Sequence, residues 1–238
     1  MRYNKYNYSS DVEREIKYYN PEEGVLNLSY SRITVLPESI YRLPRLMHLY
    51  ANHTLIEEIP DEIAELKGLK TLNISDSRVR YISPSIGELS KLVMLWLENL
   101  DLKKMPKEIG KLKGLICLFA KNSNITSPGE WIEKMSGLEW LHLSGNRLNR
   151  FPEEVCGLRN LQFLVIDYAN LRIIPNKIGE MENLKLLSIR GNKLKYLPDS
   201  IAKLSKLEKI YVLDNNFDGY PWVLKELPKH VTVDIAEW

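Results

Sequence analysis

The stretch Leu138-Glu139-Trp140-Leu141-His142-Leu143 decides the fold, because it recurs. The same pattern stands at Leu69-Lys-Thr-Leu72-Asn-Ile74, at Leu92-Val-Met-Leu95-Trp-Leu97 and at Leu184-Lys-Leu-Leu187-Ser-Ile189. These segments are separated by 23 residues or a multiple of 23. Nine units follow without a gap, beginning at residues 23, 46, 69, 92, 115, 138, 161, 184 and 207. Seven positions per unit (1, 4, 6, 11, 14, 18 and 21) are apolar, at every one of the 63 sites (seven by nine) except Glu23 and Pro128. With 44% apolar residues overall, chance does not produce that. A fixed period of this size means a stacked repeat architecture.

Within a unit the pattern divides in two. Positions 3 to 7 alternate outward and inward, the period of a strand. Positions 14, 18 and 21 recur at near-helical spacing. Seven of the nine units place proline at position 15, as Pro37, Pro60, Pro106, Pro152, Pro175, Pro198 and Pro221. Proline presets φ for a turn and removes a donor the turn cannot use, so a short helix or 3₁₀ turn is expected there. One unit cannot bury its own leucines; a stack can, and its stability is a sum of nearest-neighbour terms.

The residue types resemble the leucine-rich repeat family, in its 23-residue class with Leu-Pro-x-x-Ile-x-x-Leu on the outer segment. The matching residues are Leu36-Pro37…Ile40…Leu43, Ile59-Pro60…Ile63…Leu66 and Leu197-Pro198…Ile201…Leu204. Ras-suppressor-like scaffolds and many bacterial repeat proteins share this form. The resemblance implies an α/β solenoid: a right-handed curved horseshoe with a parallel concave β-sheet and short 3₁₀ or helical convex segments. It also implies a non-catalytic protein-interaction module, often one that regulates a signalling protein such as a small GTPase or a phosphatase. The family's buried asparagine at position 9, expected to bond the next coil, is here Ser31, Thr54, Ser77, Leu100, Ser123, Asn146, Ala169, Asn192 and Asn215. A full asparagine ladder is therefore absent.

The domain division that follows is a capping segment over residues 1–22, nine repeats over 23–229 and a capping strand over 230–238. Ser10-Asp11-Val12-Glu13 reads as a capping box opening a helix whose apolar face is Val12, Ile16 and Tyr19. His230–Ile235 repeats the strand half of a tenth unit, with Trp222 and Trp238 expected to cover the last coil. In the fifth unit Thr126-Ser127-Pro128-Gly129-Glu130-Trp131 replaces the usual turn. Trp131 there either refolds inward to fill the space of a missing leucine or stands out as an anchor.

Composition sets the broad class. Among 238 residues, 33 Lys+Arg against 31 Asp+Glu leave a net charge of +2. That balance argues against nucleic acid as the main partner, and no apolar run reaches the roughly 18 residues of a membrane span. The two cysteines, Cys117 and Cys156, supply no disulfide framework. A reducing, cytoplasmic setting is the simpler reading. The polar Met1–Tyr6 stretch lacks the apolar core of a signal peptide, so secretion as an effector would need another route.

The candidate site is the concave sheet, whose outward residues are positions 3, 5, 7 and 8. The middle units set Met94, Trp96, Cys117, Phe119, Trp140, Phe163, Val165 and Leu186 side by side, with Tyr50 and His142 in the same rows. Positions 4 and 6 already fill the core, so these side chains face water. An apolar patch of that size marks an interface, and aromatics and Met are the types enriched there. A docked protein partner and self-association through the same patch are the two uses, against purely lateral stacking that braces the sheet. Glu98 beside Lys121 and Asp167 beside Arg190 are expected to form lateral ion pairs at the rim.

Chemistry has few candidates. A Cys117-dependent hydrolase would need His142 as base, a diagonal neighbour at roughly 7 Å by the geometry of a sheet. Asp214-Asn-Asn216-Phe-Asp218-Gly219 begins like a calcium loop, but Lys225 stands where the closing Glu belongs. No phosphate-loop, Cys-x-x-Cys or His-Glu-x-x-His motif occurs, so no cofactor and no metal is expected. Lys103, Lys104, Lys107, Lys111 and Lys113 make one unit's outer surface basic, usually a solvated face.

Overall fold

A computed structural model describes residues 8–102 and 104–235. Ten three-residue strands pair in parallel in chain order, each in register with the residue 23 places on: Val25 opposite His48, Met94 opposite Cys117, Trp140 opposite Phe163. The strands occupy positions 3 to 5 of each coil, from Val25–Asn27 to Lys209–Tyr211, and Thr232–Asp234 supplies the tenth. Position 4 is sealed: Leu49, Leu72, Leu118, Leu141, Leu164, Leu187 and Ile210 are 0% exposed. The leucines and isoleucines of successive coils merge into one continuous core that runs the length of the stack.

Each coil returns through a short 3₁₀ segment. The seven position-15 prolines all stand immediately before one, with φ between −62° and −82°. In the third coil Ser83 takes that place, its hydroxyl accepting the Ser85 N–H, with Pro84 as the first residue of the turn. In the fifth coil Gly129 takes it at φ 72°, and Trp131 is 7% exposed. The indole has turned inward, as one of the two readings anticipated. A second, two-stranded pairing joins Glu58–Ile59 to Tyr81–Ile82.

The ends depart from expectation in two ways. The helix Tyr8–Lys17 already includes Ser10, which is therefore not its cap. The apolar face holds: Val12 is buried, Ile16 and Tyr19 pack on the core, and the Tyr19 hydroxyl donates to the Pro44 carbonyl at 2.8 Å. Trp222 is 55% exposed and does not seal the last coil, while Trp238 lies outside the described residues. No helix among the described residues is long and apolar enough to cross a membrane.

Position 9 works in the opposite direction from that anticipated. The Asn146 amide oxygen accepts the N–H groups of Ser123 (3.0 Å) and Ile125 (2.9 Å), and its nitrogen donates to the Ala120 (2.7 Å) and Leu143 (2.9 Å) carbonyls. Asn192 repeats this toward Ala169, Leu171 and Ile166. Each asparagine thus ties its coil to the preceding one. The reason is geometric: the side chain points back along the stack, where the earlier coil leaves two N–H groups without strand partners. Thr54 and Ser77 donate to carbonyls of their own coil instead, Ala51 and Ile74.

Candidate functional site

The concave patch forms as a ladder of rings. Trp96 and Phe119 stack with centroids 5.4 Å apart and planes 15° off parallel. Phe119 and Trp140 follow at 5.8 Å, tilted 52°, and Trp140 and Phe163 at 4.6 Å and 24°. The line is diagonal. It enters at position 5 in coils four and five and crosses to position 3 in coils six and seven. Parallel strands at a constant spacing near 4.8 Å bring same-position rings to stacking distance, so the 23-residue period builds the Trp96–Phe119 and Trp140–Phe163 pairs, and the tilted Phe119–Trp140 contact joins them across positions. The rings cover one another's faces in part. Trp140 remains 37% exposed and the others are half-buried, as are Met94, Val165 and Leu186 beside them. Tyr50 sits in the same row, two strands before Trp96, with Asn73 between them.

The rim differs from the simple lateral pairs. Glu98 faces His142, two coils on, with Oε1 3.7 Å from Nδ1, while Lys121 acts on it only through its longer-range field. Asp167 is spent on the next coil: its Oδ1 accepts the Arg190 backbone N–H at 2.8 Å and the Ser188 hydroxyl at 2.6 Å. The Arg190 guanidinium turns away to Asp234 and lies over the Tyr211 ring, 4.3 Å from its centroid. A short aspartate cannot both cap the next coil and reach a guanidinium there, whereas arginine is long enough to span two coils. Arg190 is thus a clamp on the tenth strand.

The electrostatics of the patch follow from burial. Desolvation pushes the Glu98 carboxyl above its ordinary range; Lys121 partly offsets this and Asp76 adds to it. Desolvation, then Lys121, holds the His142 imidazole below its usual value, with Asp167 partly opposing them. Burial, then Glu139, raises the Cys117 thiol, and burial pushes Cys156 up to about 12. An activated cysteine needs a lowered value and a partnered base. Cys117 has the opposite shift, and His142, the base it would need, is turned to Glu98, so the geometry gives the hydrolase reading no support. Among the described residues no group of three metal-ligating side chains comes together.

One row escaped the sequence reading. Position 8 has positive φ in all nine coils: Tyr30, His53, Asp76, Asn99, Asn122, Gly145, Tyr168, Gly191 and Asp214, between 51° and 67°. The signal was visible as a run of Asn, Asp and Gly, the residues that tolerate this region. Here the row makes a second ladder. Tyr30 stacks on His53 at 4.5 Å, His53 faces Asp76 at 3.6 Å, Asn99 donates to Asp76 at 2.8 Å and Asn122 donates to Asn99 at 3.0 Å. A Cβ on Gly191 would lie 2.1 Å from the Tyr168 ring, so glycine there gives the exposed tyrosine its seat.

Residues 137–158, spanning most of the sixth repeat unit, match the family model described as Leucine Rich Repeat. The chain has the leucine-rich repeat fold. No curated protein matches it in sequence. Among solved structures, the leucine-rich repeat domain of the type III effector XopL is similar at a TM-score of 0.80 and 22% identity, covering 95% of this chain and 80% of that one. A leucine-rich repeat protein of Leptospira interrogans aligns at 0.72 and 24%, covering 88% of this chain; the chain spans 59% of that protein's length. The plant peptide hormone receptor RGFR1, solved in complex with RGF2, aligns at 0.63 and 24%, covering 82% of this chain and 36% of that one. These likenesses are of fold. Leucine-rich repeat proteins commonly serve as protein-interaction modules, and these neighbours include an effector and a receptor.

Proposed function

We propose that this leucine-rich repeat protein is a non-catalytic interaction module that grips a protein partner with the aromatic ladder of its concave sheet. The repeats within residues 23–229 carry the binding surface, and the helix Tyr8–Lys17 and the strand Thr232–Asp234 flank it at the two ends. The carrying observation is the placement of Trp96, Phe119, Trp140 and Phe163: four rings in contact, on water-facing positions, beside Met94, Val165 and Leu186. Large aromatics are the side chains whose loss most often costs a complex 2 kcal/mol or more. Glu98, Lys121 and His142 form the polar edge, and Asp167 and Arg190 hold the neighbouring coils in place. RGFR1 offers a precedent in this fold for a receptor solved with a bound partner. The two unpaired thiols support a reducing, cytoplasmic place of work.

The test is affinity capture from the source cell's lysate with immobilised wild type and with the Trp96→Ala/Trp140→Ala double variant. A protein retained by the first and lost by the second, with circular dichroism unchanged, supports the reading; equal retention refutes it. Sedimentation at micromolar concentration decides whether the occupant is a second copy of the chain.

A further inference from the structure

Glu98 stands out on the concave face. It is a half-buried carboxylate at the edge of an apolar ring ladder, and no ion pair within 4 Å joins it to Lys or Arg among the described residues. Its imidazole neighbour, His142, stands at 3.7 Å, beyond good hydrogen-bond length, and burial disfavours its charged form. Lys121 is exposed and its charge reaches Glu98 only at a distance, while Asp76 repels it. A desolvated anion without a direct counter-ion costs free energy that a supplied cation recovers. The other acids close by are used: Asp76 accepts from Asn99 and faces His53, and Asp167 accepts from Ser188 and the Arg190 backbone.

We infer that the concave site selects a partner segment presenting an arginine, whose guanidinium seats on Glu98 while flanking apolar side chains lie along Trp96 and Phe119. Arginine fits better than lysine. Its planar fork engages both carboxylate oxygens, and it sheds water more readily than an ammonium, which suits a half-buried seat. Its methylene stem covers ring surface at the same time. This assignment rests on the proposed use of the concave face and adds the chemistry of what enters it.

The probe is the peptide acetyl-Leu-Arg-Leu-amide, titrated into the full chain while the Trp96 indole N–H resonance is followed. Its counterparts carry lysine, or citrulline, the neutral isostere of arginine. The assignment predicts a saturable shift with the arginine peptide, weaker binding with lysine and a loss of about 10-fold or more with citrulline, the size of one charge-assisted contact. Glu98→Gln should weaken the arginine peptide by a similar factor and leave the citrulline peptide unchanged. Affinity should fall with added salt. Equal affinity for arginine and citrulline in the wild type overturns the assignment whether or not the variant folds, as does the lack of any saturable shift. The broader reading fails separately: if the natural partner is lost by Trp96→Ala/Trp140→Ala but held undiminished by Glu98→Gln, the concave site stands and the arginine does not.

Discussion

The two faces of the concave sheet belong to the same three-residue strands and obey different rules. On the inner face Leu95, Leu118, Leu141 and Leu164 are one residue type, with at most 1% of their surface exposed. On the outer face the neighbouring positions run through Trp96, Phe119, His142 and Val165, all half-exposed. The inner face is constrained by packing against coils of the same pattern, so its residues repeat. The outer face is free of that constraint, so its departures from polarity need another cause. Position, not hydrophobicity alone, separates what stabilises the stack from what the stack displays.

The most forceful way to sharpen the contrast is to truncate one residue on each face. Leu118→Ala empties a fully buried site and should cost about 2–5 kcal/mol, read as a drop in urea midpoint. Phe119→Ala, the next residue, removes lateral ring contacts only and should cost about 1–2 kcal/mol. Comparable losses at both sites would make the ladder a structural brace and erase the distinction.

Asn146→Ala tests the joint between coils. It deletes an amide that accepts two N–H groups and donates to one carbonyl of the preceding coil, and donates to one carbonyl of its own, and should cost about 2–3 kcal/mol. Thr54→Ala removes one bond within a single coil and should cost about 1 kcal/mol. A reversal of that order would show that the seam is held by packing alone.

Much of this was legible before any coordinates. The period, the strand positions, the buried residues and the prolines before the 3₁₀ turns all follow from apolar spacing, because packing against identical neighbours leaves those positions little choice. The ring ladder followed from the same register. What escaped reading depends on side-chain length and direction rather than on period. Asn146 points back along the stack instead of forward. Arg190 bypasses Asp167 for Asp234 in the tenth strand, and Glu98 reaches past Lys121 to His142. The positive-φ row at position 8 was spelled out in its Asn, Asp and Gly residues, but apolar periodicity does not register it. The capping box at Ser10 misled because a local motif says nothing about helix already present before it.

A gentler break of the comparison uses the thiol on the outer face. Burial raises the Cys117 pKa, so its thiolate fraction at pH 7.5 is below that of a free cysteine. Alkylation should be slow there and should accelerate only as pH rises past the ordinary thiol range. A fast reaction at neutral pH would reopen the nucleophile reading. Gly191→Ala should have the smallest reach. It strains a residue at φ 61° and displaces the Tyr168 ring, costing about 1–2 kcal/mol with no effect at the ladder.

The central claim is that the ring ladder is displayed for a partner rather than spent on the fold. Capture and thermal melting on the same preparations of wild type and Trp96→Ala/Trp140→Ala test it most directly. The account predicts a folded variant, melting within several degrees of wild type, that no longer holds the protein the wild type retains. A folded variant that retains the same protein to the same extent would contradict it.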